Sequence, residues 1–287
     1  MTEASPLVRY AVIGNPIAHS RSPQIHAMFS RQTGKPLRYD RLLAPVDGFA
    51  EAVAAFVAEG GVGLNVTVPF KLDAYALAAG RLSARARLAG AVNTLSWRDG
   101  AWHGCNTDGV GLVSDLLRLG RRLSGASVLL VGAGGAARGV LQPLAEAGCA
   151  RIHIVNRTAA RALELAEAWR QSGVSPQTQV TAGGLADAAQ PGGWDLVVNA
   201  TASGLQDAAP DLPPGLYAPG AAAYDMMYGA QPTAFMKQAE ADGAALTADG
   251  LGMLVGQAAE SFFIWHGLRP DPAPVLAALR ADLAAGH

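Results

Sequence analysis

The chain has 287 residues, half of them hydrophobic and 16 % charged, with 22 Lys and Arg against 23 Asp and Glu. That length points to about two domains, the apolar content excludes intrinsic disorder, and a formal net charge of −1 leaves no basic footprint for nucleic acid. Cys105 and Cys149 without clustered Cys/His spacing exclude a zinc site or a disulfide framework, and no apolar run reaches the ~18 residues of a membrane span.

In chain order, Val8 to Ile13 reads as a buried strand ending at Gly14-Asn15-Pro16. Ser22 is placed to cap a following helix, Pro23 fits its first position and Gly34 its end. Phe49, Val53, Phe56 and Val57 recur at helical spacing. Residues 62–68 read as a strand with Leu64, Val66 and Val68 on one face and Asn65 and Thr67 on the other; Pro69 stops it and Lys71 lies just beyond. Residues 91–97 and 101–104 flank Arg98-Asp99-Gly100, a hairpin signal, and a helix follows Asn106-Thr107-Asp108 to Gly120. The continuous apolar run at 127–131 reads as a strand covered on both faces, 151–155 as the second strand of that unit, 194–199 as a later buried strand and 221–224 as another. A last apolar stripe runs from Met253 to Gly267. These patterns place the main boundary near residue 108 and a return near 245, giving one domain of residues 1–108 plus 246–287 and a doubly wound domain of residues 109–245.

The strand at 127–131 enters Gly132-Ala133-Gly134-Gly135-Ala136-Ala137 and then a helix, the dinucleotide-binding arrangement. Gly132 permits the tight turn, Gly134 lets backbone approach a pyrophosphate, and Ala137 keeps helix and strand close. About 20 residues on, where an acid would read a free ribose 2′-hydroxyl, stand Asn156, Arg157 and Thr158, with Arg161 beyond. An acid would repel a 2′-phosphate, whereas Arg157 forks onto one, so the cofactor read from these residues is NADP. Lys71 and Asp108 are acid–base candidates, since a ketone receiving hydride becomes an alkoxide that needs a proton. Their plainer readings are a surface charge and a helix cap. Asn65 and Thr67 on one β face point to a polyol-binding wall. No GxSxG or P-loop motif is present.

At this point the chain resembles the shikimate dehydrogenase family. The motifs run in order: GNPIAHSRSPQIH (14–26), NVTVPFK (65–71), GAVNT (90–94), NTD (106–108), GAGGAA (132–137), NRT (156–158), NAT (199–201), YDMMY (224–228) and DGLGMLVGQAAESF (249–262). The resemblance implies an N-terminal α/β substrate domain with a mixed sheet, a Rossmann-type NADP domain, and C-terminal helices packing back on the N-terminal domain. It implies an active site in the cleft between them, and NADP-dependent interconversion of 3-dehydroshikimate and shikimate in aromatic amino-acid biosynthesis.

Carried over by motif, Ser20 and Ser22 bind the substrate carboxylate with Tyr228. Asn65, Thr67, Asn93, Asp108 and Gln257 hold ring hydroxyls, and Lys71 and Asp108 form the catalytic pair. Gly134, Gly135 and Ala136 meet the pyrophosphate, while Asn156, Arg157, Thr158 and Arg161 meet the 2′-phosphate. Thr201, Met226 and Gly250 line the nicotinamide pocket. Two departures stand out: Ala202 replaces a common serine, and Gly256 a common alanine, which is expected to loosen its helix by about 0.5–1 kcal/mol.

Two other readings stay open. One is an NAD-linked quinate/shikimate dehydrogenase, which would want an acid near position 157. The other is a non-catalytic sensor of NADP or shikimate, which would need no proton donor. The expected partner is a small-molecule substrate, with no metal, no nucleic acid and no membrane. The chain is expected to be cytoplasmic, as a monomer or homodimer.

Overall fold

A computed structural model describes residues 7–201 and 208–286, so Ala202 lies outside the described residues. The chain forms two compact units, Met1–Thr107 with Gln257–Val275, and Asp108–Gly256 with Leu276–His287.

In the first unit, β1 (Val8–Gly14), α1 (Ser22–Thr33), β2 (Leu37–Leu43), α2 (Phe49–Ala58) and β3 (Gly61–Val66) wind a parallel three-strand core. The short helices α3 (Lys71–Leu77) and α4 (Ala84–Ala89) precede β4 (Thr94–Arg98) and β5 (Ala101–Cys105), which add antiparallel. The sheet order is β2-β1-β3-β4-β5, a mixed sheet as expected. The β4–β5 turn has positive φ at Asp99 and Gly100, which matches the twist of a two-residue hairpin, and Trp97 pairs with Trp102 across it.

Two local expectations are corrected. Ser22 opens α1 rather than capping it: Arg21 holds the cap position, no side chain caps the end, and Pro23 is second in the helix. The Ser22 hydroxyl is engaged by Ser20 instead. Strand β3 ends at Val66, not at residue 68. Thr67 donates its N–H to Ile13 and accepts from the N–H of Phe70, which makes it part of a turn, and Val68 is 68 % exposed rather than facing inward with Leu64 and Val66.

In the second unit, α5 (Asp108–Arg118), β6 (Ser127–Val131), α6 (Gly135–Glu146), β7 (Arg151–Val155), α7 (Ala159–Ser172) and β8 (Gln179–Gly183) form one half. The other half is β9 (Trp194–Asn199), β10 (Tyr217–Asp225), α8 (Ala234–Ala241) and β11 (Leu246–Ala248). All six strands are parallel in the order β11-β10-β9-β6-β7-β8, the doubly wound order that reverses direction between β6 and β9. Residues 128 to 131 are all fully buried, as a strand covered on both faces requires. Pro143 lies inside α6, and Gly109 of α5 packs against it and the Gly139 carbonyl, where a Cβ would overlap both.

The chain ends in α9 (Leu251–His266) and α10 (Pro272–Ala284), and the division between units falls inside each. The C-terminal part of α9 packs on the first sheet: Trp265 Nε1 donates to the Leu95 carbonyl at 3.1 Å, and its ring lies 4.7 Å from that of Tyr10. A Cβ at Gly256 would sit 3.0 Å from Gly111 Cα, so the missing side chain lets α9 approach α5 closely.

His26 of α1 is fully buried and stacks on Tyr39 at 4.2 Å and 7°. Burial drives its pKa from 6.5 down to about 3. The folded state therefore holds His26 neutral while the unfolded chain takes up a proton below 6.5, and stability falls with pH across that window. Relative to His26→Phe, the wild-type unfolding free energy should drop by about 1.4 kcal/mol per pH unit between pH 6 and 4. Parallel denaturant titrations test this; a pH-independent difference would remove His26 as the cause.

Candidate functional site

The first unit gathers amides and hydroxyls around the C-terminal end of β3. Asn65 alternates with the apolar Leu64 and Val66, so period two turns it to the opposite face; it is 5 % exposed. A buried amide must find partners. Its Oδ1 accepts from the Tyr39 hydroxyl at 2.7 Å, and its Nδ2 donates to Ser261 Oγ at 2.9 Å, with the Asn93 carbonyl and Thr94 Oγ1 each at 3.3 Å. Asn93, just before β4, donates from Nδ2 to Thr107 Oγ1 at 3.0 Å, and its Oδ1 accepts from the Thr107 N–H and the Thr94 hydroxyl, each at 2.9 Å. Gln257 joins through Thr107 Oγ1 at 3.4 Å and through its own carbonyl, which accepts from Ser261 Oγ.

Ser20 donates to Ser22 Oγ at 3.2 Å, and Ser22 hydrogen-bonds to the Tyr39 hydroxyl. The guanidinium of Arg41 holds the Ser20 carbonyl at 2.7 and 3.0 Å. Burial raises the Tyr39 pKa well above its usual 10, so the phenol stays a donor. Lys71 is the first residue of α3, and its carbonyl accepts from the Val92 N–H next to Asn93. Thr67 stands in the turn between them, its methyl packed where a Gly14 side chain would be. Of the predicted residues in this unit, Ser20, Ser22, Asn65, Asn93 and Gln257 share one hydrogen-bonded system. Tyr39, Thr94, Thr107 and Ser261 belong to it and were not singled out from sequence. Thr94 and Thr107 lie inside the GAVNT and NTD motifs, and Ser261 follows Gln257 by one helical turn; Tyr39 carries no local signal.

In the second unit, the glycine turn sits at the C-terminal ends of β6 and β9, where the sheet reverses and such folds bind ligands. Gly132 has φ +112°, and a Cβ there would press on the Ala200 carbonyl at 3.1 Å. Helix α6 starts with no side-chain cap at Gly134, nothing lies within 4 Å of where a Cβ at Gly134 or Gly135 would be, and Ala137 is fully buried against the strand. Free N–H groups, a positive dipole end and room at both glycines fit a diphosphate. At the end of β7, Asn156 Nδ2 donates to the Thr158 carbonyl at 2.9 Å. Arg157, Thr158 and Arg161 are exposed, and among the described residues neither arginine has a carboxylate partner, which fits a further phosphate.

Thr201, Met226 and Gly250 are tied to one buried carboxylate. Asp225 Oδ1 accepts from Asn199 Nδ2 and the Met227 N–H, each at 3.1 Å, and Oδ2 accepts from the Thr233 hydroxyl at 2.6 Å. Asn199 in turn accepts from the N–H and hydroxyl of Thr201 on Oδ1, and from the Met226 N–H on its carbonyl. Gly250 donates to the Met227 carbonyl at 2.9 Å, and a Cβ on it would overlap the Met226 carbonyl oxygen. Burial raises the Asp225 pKa while these donors oppose the shift. Asp108, the first residue of α5, is buried, and Tyr228 follows Met227 beyond β10.

Residues 12–95 match the family described as shikimate dehydrogenase substrate binding domain, 116–204 that of shikimate / quinate 5-dehydrogenase, and 250–280 that of shikimate 5'-dehydrogenase C-terminal domain. A shikimate dehydrogenase (NADP(+)) of Bordetella petrii is 76 % identical over 285 residues, covering 99 % of both chains. The chain belongs to the shikimate dehydrogenase family. A relative of the same name from Cupriavidus necator is 55 % identical, covering 96 % of this chain and 95 % of its own. The solved shikimate 5-dehydrogenase of Thermus thermophilus, in complex with NADP(H) and shikimate, superposes with a TM-score of 0.83 at 36 % identity, covering 96 % of this chain and 99 % of that one. The two-domain α/β fold read from the sequence is the fold of this family.

Asp225→Ala would leave three donors, on Asn199, Met227 and Thr233, without their acceptor. The variant should lose about 2–4 kcal/mol of unfolding free energy. Denaturant unfolding checks this, and a loss below about 0.5 kcal/mol would show that the carboxylate does not organise these segments.

Proposed function

We propose that this chain reversibly reduces 3-dehydroshikimate to shikimate with NADPH, as its Bordetella and Cupriavidus relatives are named to do with NADP. The observation that carries the reading is the polar system of the first unit. Three amides, Asn65, Asn93 and Gln257, are fixed by buried hydroxyls at the end of an apolar sheet, which suits a compact polyol rather than an apolar or polymeric ligand. Ser20, Ser22 and Tyr228 take the substrate carboxylate, and Asn65, Thr67, Asn93, Asp108 and Gln257 take ring hydroxyls. Residues 1–108 plus 246–287 serve as the substrate domain and 109–245 as the NADP domain, in a cytoplasmic monomer or homodimer.

NADPH supplies the hydride. Lys71 stabilises the negative charge developing on the carbonyl oxygen and gives it a proton, and Asp108 holds Lys71 and a substrate hydroxyl. In the reverse direction the amine of Lys71 takes that proton back. Gly134, Gly135 and Ala136 present backbone to the pyrophosphate, and Gly132 shapes the turn. Asn156, Arg157, Thr158 and Arg161 receive the 2′-phosphate, and Thr201, Met226 and Gly250 wall the nicotinamide.

Lys71→Ala should lower kcat about 100-fold or more with substrate affinity little changed, because its contribution is made in the transition state. A kcat within about threefold of wild type would remove Lys71 from that role. Arg157→Ala should raise the KM for NADP far more than that for NAD, and equal losses would refute the 2′-phosphate assignment. Steady-state oxidation of shikimate and of quinate, each with NADP and NAD, tests the whole reading: turnover preferring quinate with NAD, or no turnover at all, would overturn it.

A further inference from the structure

We propose that Tyr39 is a positioning residue for the substrate: its hydroxyl links the Ser20–Ser22 pair to Asn65 and sets the Asn65 amide as an acceptor toward a ring hydroxyl. The inference rests on the polyol reading above and deepens it.

The protons these groups carry fix the direction of each bond. Asn65 Nδ2 carries two, and Ser261 Oγ, the Asn93 carbonyl and Thr94 Oγ1 surround them. A flipped amide would set Oδ1 against the Asn93 carbonyl, so the orientation is decided. Oδ1 then has two lone pairs. Tyr39 takes one at 2.7 Å, the neutral His26 ring lies within hydrogen-bond reach of the same amide, and any further group that meets Oδ1 finds only an acceptor there. A ligand group meeting Asn65 must therefore donate, which admits a free hydroxyl and refuses an ether or a halogen in its place.

Tyr39 has one proton, and it goes to Asn65, while its oxygen remains open to Ser22. Ser22 is in turn an acceptor for Ser20. The donors thus run in one direction, Ser20 to Ser22 to Tyr39 to Asn65. An anion that turns the serine protons toward itself does not take the proton Tyr39 spends on Asn65. The ring itself is held by packing: it lies flat on His26 at 4.2 Å, with Trp265 at 6.3 Å and 45°, and its strand pairs with β1 so that Tyr39 stands opposite Tyr10. The hydroxyl is therefore placed by the core of the unit rather than by a loop.

Tyr39→Phe keeps the ring and its stacking and removes only the hydroxyl. Wild-type oxidation of shikimate with NADP tests the functional reading; the ratio of variant to wild type tests Tyr39. The KM for shikimate should rise at least about fivefold, with kcat within about threefold, the KM for NADP unchanged, and a melting temperature within about 3 °C of wild type. The same comparison is then made with shikimate analogues that each lack one ring hydroxyl. For the analogue missing the hydroxyl that donates to Asn65, the difference between variant and wild type should shrink below about twofold, which a merely structural loss would not do. A rise in KM below about fivefold, or a difference that persists with every analogue, would overturn the assignment.

Discussion

A buried amide in the middle of a sheet constrains everything around it. Asn65 has Gly63 and Leu64 before it and Val66 after it, and almost all of its surface is buried. An unmade hydrogen bond there costs about 1–3 kcal/mol, so the chain must bring partners to it. They come from β2, from the start of β4 and from the far C-terminal helix α9, which meet nowhere else in sequence. Satisfying one side chain thus fixes the register of distant segments. The same requirement leaves the site with acceptors and donors in defined directions, which a solvent-exposed asparagine would not have.

The second unit solves a similar problem with a charge. Asp225 has no cationic partner among the described residues, and five of the groups that hold it or hang from it are backbone N–H or amide donors. Such a carboxylate acts as a knot: the ends of β9 and β10 and the turn before α9 are tied to it through Asn199 and Met227. The side chains proposed to meet cofactor are thereby set by a residue that need not touch it.

Much of this was legible beforehand. Strand 127–131 was readable to the residue because a strand covered on both faces is an unbroken apolar run, and 151–155 and 194–199 followed from the apolar residues at their centres and the turn residues that bound them, with the glycine turn placed after the first. The hairpin at Asp99-Gly100 followed from turn chemistry. Other parts left no local mark. Strand β2, LRYDRLL, is at a sheet edge with charges at three of seven positions, so no apolar pattern announced it or the role of Tyr39. Strands β8 and β11 are likewise edge strands, short and half-polar. Ser22 looked like a helix cap because its type and position allow it; the tertiary demand of Ser20 and Tyr39 on its hydroxyl was not visible in sequence. Strand β3 stopped early because the turn to α3 needs the backbone of Thr67, a constraint that alternation alone does not register.

The bare start of α6 has a thermodynamic consequence. It begins with Gly134 and Gly135 and has no side-chain cap, so the amide hydrogens of its first turn have no intrahelical acceptor. A cofactor diphosphate would complete the helix as a missing cap would. Stability of the second unit would then rise with the logarithm of free cofactor, roughly 2.7 kcal/mol at a hundredfold excess over Kd. The enzyme would be hardest to unfold, and slowest to be degraded, when the cell's pool of its own reductant is full.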